Sequence, residues 1–462
     1  MNSVMKEKNL YMNKIIKRTL FVVVIICTFG NNSAGAQTIR STEVGTLNLD
    51  LQKAIEIALD ENPTIRIAEK DIELKKVADK EAWQALLPEI TATGSLQHTL
   101  LAAEMKLGGN SFKMGQDNTN TVNFGASLSM PVFAPAVYQN MKLTKEDIKL
   151  AQEKARASKL DLINQVTKAY YQALLAQDSY DVMKESYETA KFNYDIVSER
   201  FRVGKVSEYD KITAEVQMRS MNSSMVSTQT GLKLALLQLK VLMGVTENVR
   251  LYIDDSLKNY ETRLTLPALL EYEEALRENS TMKQFDLNRA LLERSYKIAK
   301  TNFMPTVAFV LSGQYQSLYN PDWNVFGYSY SPSANFAISV SIPIYKASNF
   351  TKLKTVRLQM EELEDNRLNT LRNLNLALES YRSNMYSSIQ QVESNSVAVK
   401  QAQKALTISN KMYEVGRGTV LDVNQTQTAL TQAQLTYNQS IYDYLTNKAD
   451  YDFTMGNEQY LK

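Results

Sequence analysis

Few residues of this chain could take part in covalent or metal chemistry. Cys27 is the only cysteine and His98 is the only histidine, so no cluster of these residues is available to hold a transition metal. The sequence also contains no nucleophile motif and no glycine-rich phosphate loop. The sequence therefore predicts a protein that is not an enzyme and that needs no cofactor.

Two carboxylates instead recur in the same context. Asp210 ends the segment 201–210 (FRVGKVSEYD), and Asp422 ends the similar segment 413–422 (YEVGRGTVLD). Each carboxylate follows a serine or threonine by three residues, which is the pattern of a helix capping box. In that motif the carboxylate accepts a hydrogen bond from the backbone where a helix begins. We therefore expect a helix to start just before each aspartate.

A Val-Gly pair lies inside each of these two segments. Val203 and Gly204 form the first pair, and Val415 and Gly416 form the second. Glycine enters a left-handed turn without the steric cost that other residues meet. Each pair therefore predicts a tight turn between a helix that ends and a helix that returns.

The two segments belong to a duplication of the whole chain. At a shift of 212 residues, Phe124 matches Phe336 and Gly244 matches Gly456, and at a shift of 217 residues Asn62 matches Asn279. Two copies this long do not suit a solenoid, whose repeats run about 20–50 residues. Duplicated halves are common in transport proteins. We expect one structural repeat at 37–246 and a second at 247–462.

The first 36 residues have the features of an export signal. A basic start precedes a short apolar core at 19–29, and Ala34, Gly35 and Ala36 form a cleavage site of small residues. Lipidation of Cys27 is a weaker alternative. Removal of 1–36 leaves 47 basic and 49 acidic residues, a net charge of −2. That charge gives no basis for binding nucleic acid.

Two long stretches, 136–266 and 344–462, contain no proline. Apolar residues recur there at alternating steps of three and four, which favours a coiled coil over an ordinary helical bundle. We predict long helices at 144–201 and 346–413 and returning helices at 207–243 and 419–454. Shorter helices at 63–87 and 280–304 would stack end to end with the returning helices and match the length of the long ones.

Four segments alternate with period two and predict strands at about 88–98, 119–133, 305–316 and 334–345. About ten residues with one apolar face suit a tilted membrane strand, with Phe336, Ile338, Val340 and Ile342 toward lipid and Ser339 and Ser341 toward a lumen. A soluble β-sandwich is the alternative. Four strands cannot close a barrel, and lipid tolerates no open sheet edge. Three copies, with twelve strands, would be the smallest number that encloses a lumen.

Taken together, these residues resemble the TolC-like outer membrane efflux proteins over essentially the whole mature chain. The most specific marks are the two Tyr/Phe-x-Val-Gly-(x)5-Asp segments and the Pro131 and Pro343 steps that follow the second strand of each half. The resemblance implies a mainly α fold with a small membrane β part: a homotrimer with a long coiled-coil helical barrel and a 12-strand β-barrel. It also implies outer membrane lipid around that barrel, a periplasmic adaptor, and an inner-membrane pump of RND or ABC type.

The resemblance also assigns roles at the helix turns. It places Val203, Gly204, Val415 and Gly416 at the adaptor-docking end of the tube. It assigns Asp210, Tyr413, Asp422 and Gln425 to a periplasmic gate, where Asp422 matches a ring of carboxylates and Gln425 leaves a second ring uncharged. An arginine of the family's gate falls at Gly418 in this chain. The expected function is a passive exit duct for efflux or type I secretion, and the alternative is a periplasmic coiled-coil adaptor or scaffold outside the membrane.

Overall fold

The computed structural model describes residues 46–107, 110–245, 249–267 and 276–456. The expected signal peptide at 1–36, including Cys27, lies outside these residues. Long helices alternate with a small set of strands. The elements are β1 (Thr46–Leu49), α1 (Leu51–Glu61), α2 (Pro63–Gln84), β2 (Glu89–Thr99), β3 (Ala103–Leu107), β4 (Asn110–Met114), β5 (Thr119–Phe133), α3 (Pro135–Arg202), α4 (Glu208–Met243), β6 (Arg250–Ile253), α5 (Ser280–Thr301), β7 (Thr306–Asn320), β8 (Ser331–Ser341), α6 (Ala347–Glu414) and α7 (Val420–Met455).

The internal duplication is visible in the lengths of the helices. The long helices α3 and α6 each have 68 residues, and the returning helices α4 and α7 each have 36. At 1.5 Å per residue these lengths are about 102 Å and about 54 Å. Helix α3 begins at Pro135, nine residues before the predicted start, because a proline fits the first turn of a helix. Among the described residues, no helix is both long and apolar enough to cross a membrane.

Each returning helix ends against the start of a 22-residue helix. Asn62 caps α2 by accepting from the Thr64 amide at 2.8 Å, and its Nδ2 donates to the Leu242 carbonyl of α4 at 2.6 Å. Gly244 ends α4 with φ +71°, and a Cβ there would lie 2.8 Å from the Glu61 carbonyl oxygen. One asparagine thus satisfies both helix ends at the junction, which produces the end-to-end stacking expected from the sequence.

The second repeat has the same junction. Asn279 caps α5 through the Met282 amide at 3.1 Å and donates to the Thr454 carbonyl of α7 at 2.7 Å. Gly456 ends α7 with φ +71°. The equivalence of the two asparagines and the two glycines in the sequence therefore reflects a shared way of joining two helices. Each stacked pair, about 54 Å plus about 33 Å of helix, approaches the length of a long helix.

Four strands form an antiparallel sheet in the order β2-β5-β7-β8. One apolar row crosses all four strands: Leu128 pairs with Ile90 on one side and with Leu311 on the other, and Leu311 pairs with Phe336. Side chains that lie opposite each other in a sheet point to the same face. The apolar residues of this row therefore lie on one face of the sheet.

The neighbouring row of the sheet is polar. Ser127 pairs with Thr91 and with Ser312, and Ser312 pairs with Asn335. The hydroxyls of Thr91 and Ser127 are 2.8 Å apart and hydrogen-bonded. Strands β2 and β8 form the two edges, and neither edge is paired within the described part of this chain. The sheet thus has one apolar face, one polar face and two open edges.

Two small strand pairs were not predicted from the sequence. β3 and β4 form an antiparallel hairpin between β2 and β5, and β1 pairs in parallel with β6. The β1–β6 pair joins the beginnings of the two halves. Close to it lies the largest buried core, which contains Tyr170 and Leu174 of α3, Ile441 and Tyr444 of α7 and Met385 of α6. This core therefore holds both repeats together.

Candidate gate and docking site at the helix turns

Both Val-Gly pairs end a long helix in the same left-handed turn. Gly204 and Gly416 each have φ +74°. After α3, the Gly204 amide donates to the Phe201 carbonyl at 2.9 Å and the Lys205 amide donates to the Arg200 carbonyl at 2.8 Å. The corresponding bonds after α6 are 3.1 and 2.8 Å. This pair of bonds is the Schellman motif, which satisfies the last carbonyls of a helix.

The carboxylates form the expected capping boxes directly after these turns. Asp210 accepts from the Ser207 amide at 3.2 Å, and its own amide donates to the Ser207 hydroxyl at 3.1 Å. Asp422 accepts from the Thr419 amide at 2.9 Å, and its amide donates to the Thr419 hydroxyl at 3.2 Å. Two hydrogen bonds lower the pKa of the Asp422 carboxyl: the one from the Thr419 hydroxyl has the larger effect, and the one from the Thr419 amide has the smaller effect. Asp422 is therefore charged at neutral pH.

The valines of the two turns are not part of the core. Val203 is 55% exposed and Val415 is 71% exposed. A Cβ placed on either glycine would also meet no other atom within 4 Å. The turns are thus shaped by backbone conformation alone, and they present an apolar side chain to the surroundings.

The two turns pack against each other through a small buried cluster. Val197 of α3, Ala214 of α4 and Val420 of α7 are all buried in it, and Tyr413 contacts its edge. Because the cluster draws on both repeats, a movement of one turn relative to the other would open this contact. Such an arrangement suits a gate made from two helical hairpins.

One residue of this site was not identified from the sequence. The guanidinium carbon of Arg200 lies 4.9 Å from the centre of the Tyr413 ring, within the range of a cation–π interaction. Tyr413 is half-buried, and within the described residues its hydroxyl has no hydrogen-bond partner. The ring, rather than the hydroxyl, therefore makes the contact between the two hairpins.

The other residues predicted for this site are not part of the Arg200–Tyr413 contact. The Asp210 carboxylate is used by its own capping box, and it is not joined to the Tyr413 hydroxyl among the described residues. Gln425 is exposed on α7, three residues after Asp422. A Cβ on Gly418 would lie 3.1 Å from the Tyr413 amide nitrogen. That crowding is a structural reason for glycine at this position.

The described residues contain no group of three or more histidine, cysteine, aspartate or glutamate side chains that could hold a metal ion. The site therefore offers charge, an aromatic contact and two exposed valines. These features can open or close a passage and bind another protein.

The chain matches the sequence profile of one family twice, over residues 54–245 and 272–457, and that family is described as "Outer membrane efflux protein". Outer membrane protein TolC of Escherichia coli is 23% identical over 412 residues, which are 86% of this chain and 80% of that protein. The alkaline protease secretion protein AprF of Pseudomonas aeruginosa is 22% identical over 421 residues, which are 88% of this chain and 84% of that protein.

A solved structure has the same fold. The open state of the Neisseria gonorrhoeae MtrE outer membrane channel superposes with a TM-score of 0.68 at 19% identity, over 93% of this chain and 94% of that chain. The prediction of a mainly helical tube with a small β part is confirmed, and the scaffold alternative is not favoured. The chain belongs to the outer membrane efflux protein family and is an efflux or secretion channel of the outer membrane.

Proposed function

We propose that three copies of this chain form a passive exit duct that is gated at its Val-Gly turns. The observation that carries this proposal is the four-strand sheet with two open edges, because lipid does not tolerate unpaired backbone groups. Pairing β8 of one copy with β2 of the next satisfies both edges in a closed ring. Twelve strands then surround a polar lumen, with the apolar rows toward lipid.

The exposed valines of the turns support docking of a periplasmic adaptor, which would couple the duct to an RND- or ABC-type pump. Apolar side chains at the end of a tube provide a contact surface that the tube itself does not use. We assign Val203, Gly204, Val415 and Gly416 to this docking surface. The gate beside it consists of Asp210, Tyr413, Asp422 and Gln425, with Arg200 added from the structure.

Crosslinking in membranes tests the assembly. The only cysteine lies in the expected signal peptide, so a cysteine placed on β2 and another on β8 would be the only thiols of the mature chain. Oxidation should convert the doubly substituted chain into a covalent trimer, whereas either single substitution should give no trimer. A product that stops at two copies would contradict the proposal.

Neutralising Asp422 should reduce the cation preference of the entrance. Three symmetry-related carboxylates concentrate cations and repel anions. In planar bilayers at low salt, Asp422→Asn should shift the reversal potential toward zero. The effect should shrink at high salt, where the screening length falls to about 3 Å at 1 M.

Asp422→Glu is the matched control, because it keeps the charge, and glutamate is the usual residue at this position of a capping box. Asp422→Asn instead keeps an oxygen that can accept from the Thr419 amide. If the carboxylate only caps α7, Asp422→Asn should change stability slightly and neither variant should change selectivity. An unchanged reversal potential in Asp422→Asn would therefore reject the ring of charge.

Replacing Arg200 should make the entrance open more often. Arg200→Gln removes the cation above the Tyr413 ring, which at an exposed site is worth about 0.5–1 kcal/mol in each subunit. We expect a larger mean single-channel conductance in planar bilayers. Arg202→Gln is the control, since among the described residues Arg202 pairs only with Glu199, at 2.9 Å.

Two changes at Tyr413 separate the ring from the hydroxyl. Tyr413→Phe should behave like the unmodified channel, because the hydroxyl makes no hydrogen bond within the described chain. Tyr413→Ala should open the entrance as Arg200→Gln does. If the phenylalanine variant opened the channel and Arg200→Gln did not, the proposed contact would be wrong.

A further inference from the structure

The segment 321–330, which connects β7 to β8, packs on the apolar face of the sheet. Trp323 stacks on the ring of His98, with the ring centres 5.0 Å apart, and the ring centre of Tyr330 lies 5.2 Å from that of Phe124. His98 and Phe124 belong to the apolar face because side chains an even number of positions apart in a strand point to the same side. The segment therefore covers this face at the end of the sheet that does not join the helices.

The side chains that the segment covers are polar, although they lie on the apolar face. Asn120 pairs with His98 in the sheet and is fully buried. Its Nδ2 donates to the Asp322 carbonyl at 2.5 Å, so its Oδ1 accepts from His98 Nδ1 at 2.8 Å. Without this cover, both polar side chains would face hydrocarbon, where unsatisfied polar groups are costly.

The segment presents aromatic side chains to the surroundings in place of these polar ones. Phe326 is 99% exposed and Trp323 is 64% exposed. Asp322 is the only charged residue in 321–330, and its carboxylate accepts from the Asn324 amide at 3.2 Å. Aromatic side chains form girdles where a membrane barrel passes from lipid to water. The exposed rings of this segment are of the type found in such a girdle.

The height of the apolar row agrees with this position. On β7 the row runs from Val307 to Tyr315, and the next residue on that face is Ser317. With about 3.4 Å per residue and a strand tilt of about 40°, this row is about 21 Å tall. Membrane strands carry an apolar band of about 25 Å. The aromatic side chains of 321–330 begin where the row ends and can supply the remaining height.

We propose that the segment 321–330 lies in the outer leaflet of the membrane, with Trp323 and Phe326 at the boundary between the lipid headgroups and the acyl chains. The proposal rests on the barrel of the proposed function, because it requires the apolar face to be the lipid-facing one. The partner is lipid rather than another protein, since these rings continue the lipid-facing row and the segment carries a single charge. The segment would then anchor the channel at a fixed height in the membrane.

Tryptophan fluorescence of the full-length channel in vesicles tests the proposal, because the chain has only two tryptophans. Trp83→Phe leaves Trp323 as the only one. The vesicles contain phosphatidylcholine that carries bromine, which quenches tryptophan, either high or low on its acyl chains. We expect Trp323 to lose more emission to bromine close to the headgroups than to bromine near the chain ends. No loss with either lipid, together with strong quenching by iodide in the water, would overturn the proposal.

Two further variants, each with a single tryptophan in a chain that lacks Trp83 and Trp323, separate this proposal from the barrel itself. Phe336→Trp lies on the apolar face at the middle of β8 and should lose most emission to bromine near the chain ends. Gln97→Trp lies on the polar face and should be quenched by iodide alone. If both variants behaved so and Trp323 resembled Gln97→Trp, the segment would lie outside the lipid and the barrel would stand. Equal bromine quenching of Phe336→Trp and Gln97→Trp would contradict the barrel, and this proposal with it.

Phe326→Asp tests whether contact with lipid holds the segment in place. Because Phe326 is 99% exposed, the change removes almost no packing within the chain. A charge on the lipid side is unfavourable, so we expect Trp323 to lose bromine quenching and to gain iodide quenching. Phe192→Asp is the matched control, since it makes the same change at an exposed position of α3, and it should leave Trp323 unchanged. Unchanged quenching of Trp323 in Phe326→Asp would reject the proposal.

Discussion

A channel in which Gly204 and Gly416 are both replaced by valine should assemble normally and fail to export. Both glycines have φ +74°, a region that a β-branched residue avoids. Each valine would cost on the order of 1–3 kcal/mol in the present turn, so the chain would adopt another turn there. The two turns make up the proposed docking surface and hold the gate, so both functions should be lost. Drug or cargo export in a deletion strain, with trimer levels measured in the same membranes, checks this result.

Two further variants separate backbone conformation from side-chain bulk. Gly231 lies within α4 and, like the turn glycines, has no atom within 4 Å of an added Cβ. Gly231→Val should export normally because its backbone is helical. Replacing both turn glycines by asparagine, which tolerates the left-handed region better than valine, should restore part of the export. Normal export by the double valine variant would show that the turns are not the docking surface.

The sequence predicted the turns well because their chemistry is local. A left-handed glycine and a capping box each involve residues within five positions of one another, so their spacing is visible in a single segment. The Arg200–Tyr413 contact joins residues 213 positions apart, and no local sequence pattern predicts it. The signal available was an arginine in the last turn of the helix before the first Val-Gly pair. The sequence alone does not indicate which aromatic ring this arginine contacts.

The junctions between the returning helices and the 22-residue helices also depend on contacts between residues that are far apart in the sequence. The duplication pairs Asn62 with Asn279 and Gly244 with Gly456, which indicates that the paired positions have the same role in the two repeats. Their role depends on a contact between distant residues, since Asn62 donates to the carbonyl of Leu242, 180 residues away. The β3–β4 hairpin, in contrast, could have been found. Residues 103–107 alternate apolar with polar side chains and are followed by Gly-Gly-Asn, which is a hairpin signal.

The observed strand bounds change which β8 residue we expect to lie deepest in the membrane. The sequence placed the strand at 334–345, with Val340 near its middle. The structure has β8 at Ser331–Ser341, so Phe336 is the middle residue. Val340 lies next to the end of the strand, where a charge near the membrane surface costs only about 0–1 kcal/mol. An arginine substitution that tests the lipid-facing row should therefore be made at Phe336.

Phe336→Arg should prevent stable insertion, whereas Asn335→Arg should be tolerated. Phe336 belongs to the apolar row that also contains Leu311, and Asn335 belongs to the polar row that contains Ser312. An arginine that faces lipid near the midplane costs about 2–4 kcal/mol, and a trimer would carry three of them. An arginine that faces a polar lumen remains hydrated. The measurement is the amount of heat-resistant trimer in outer membranes for each variant. Equal trimer levels would mean that the two rows do not face lipid and lumen, and a soluble sheet would then account better for the alternation.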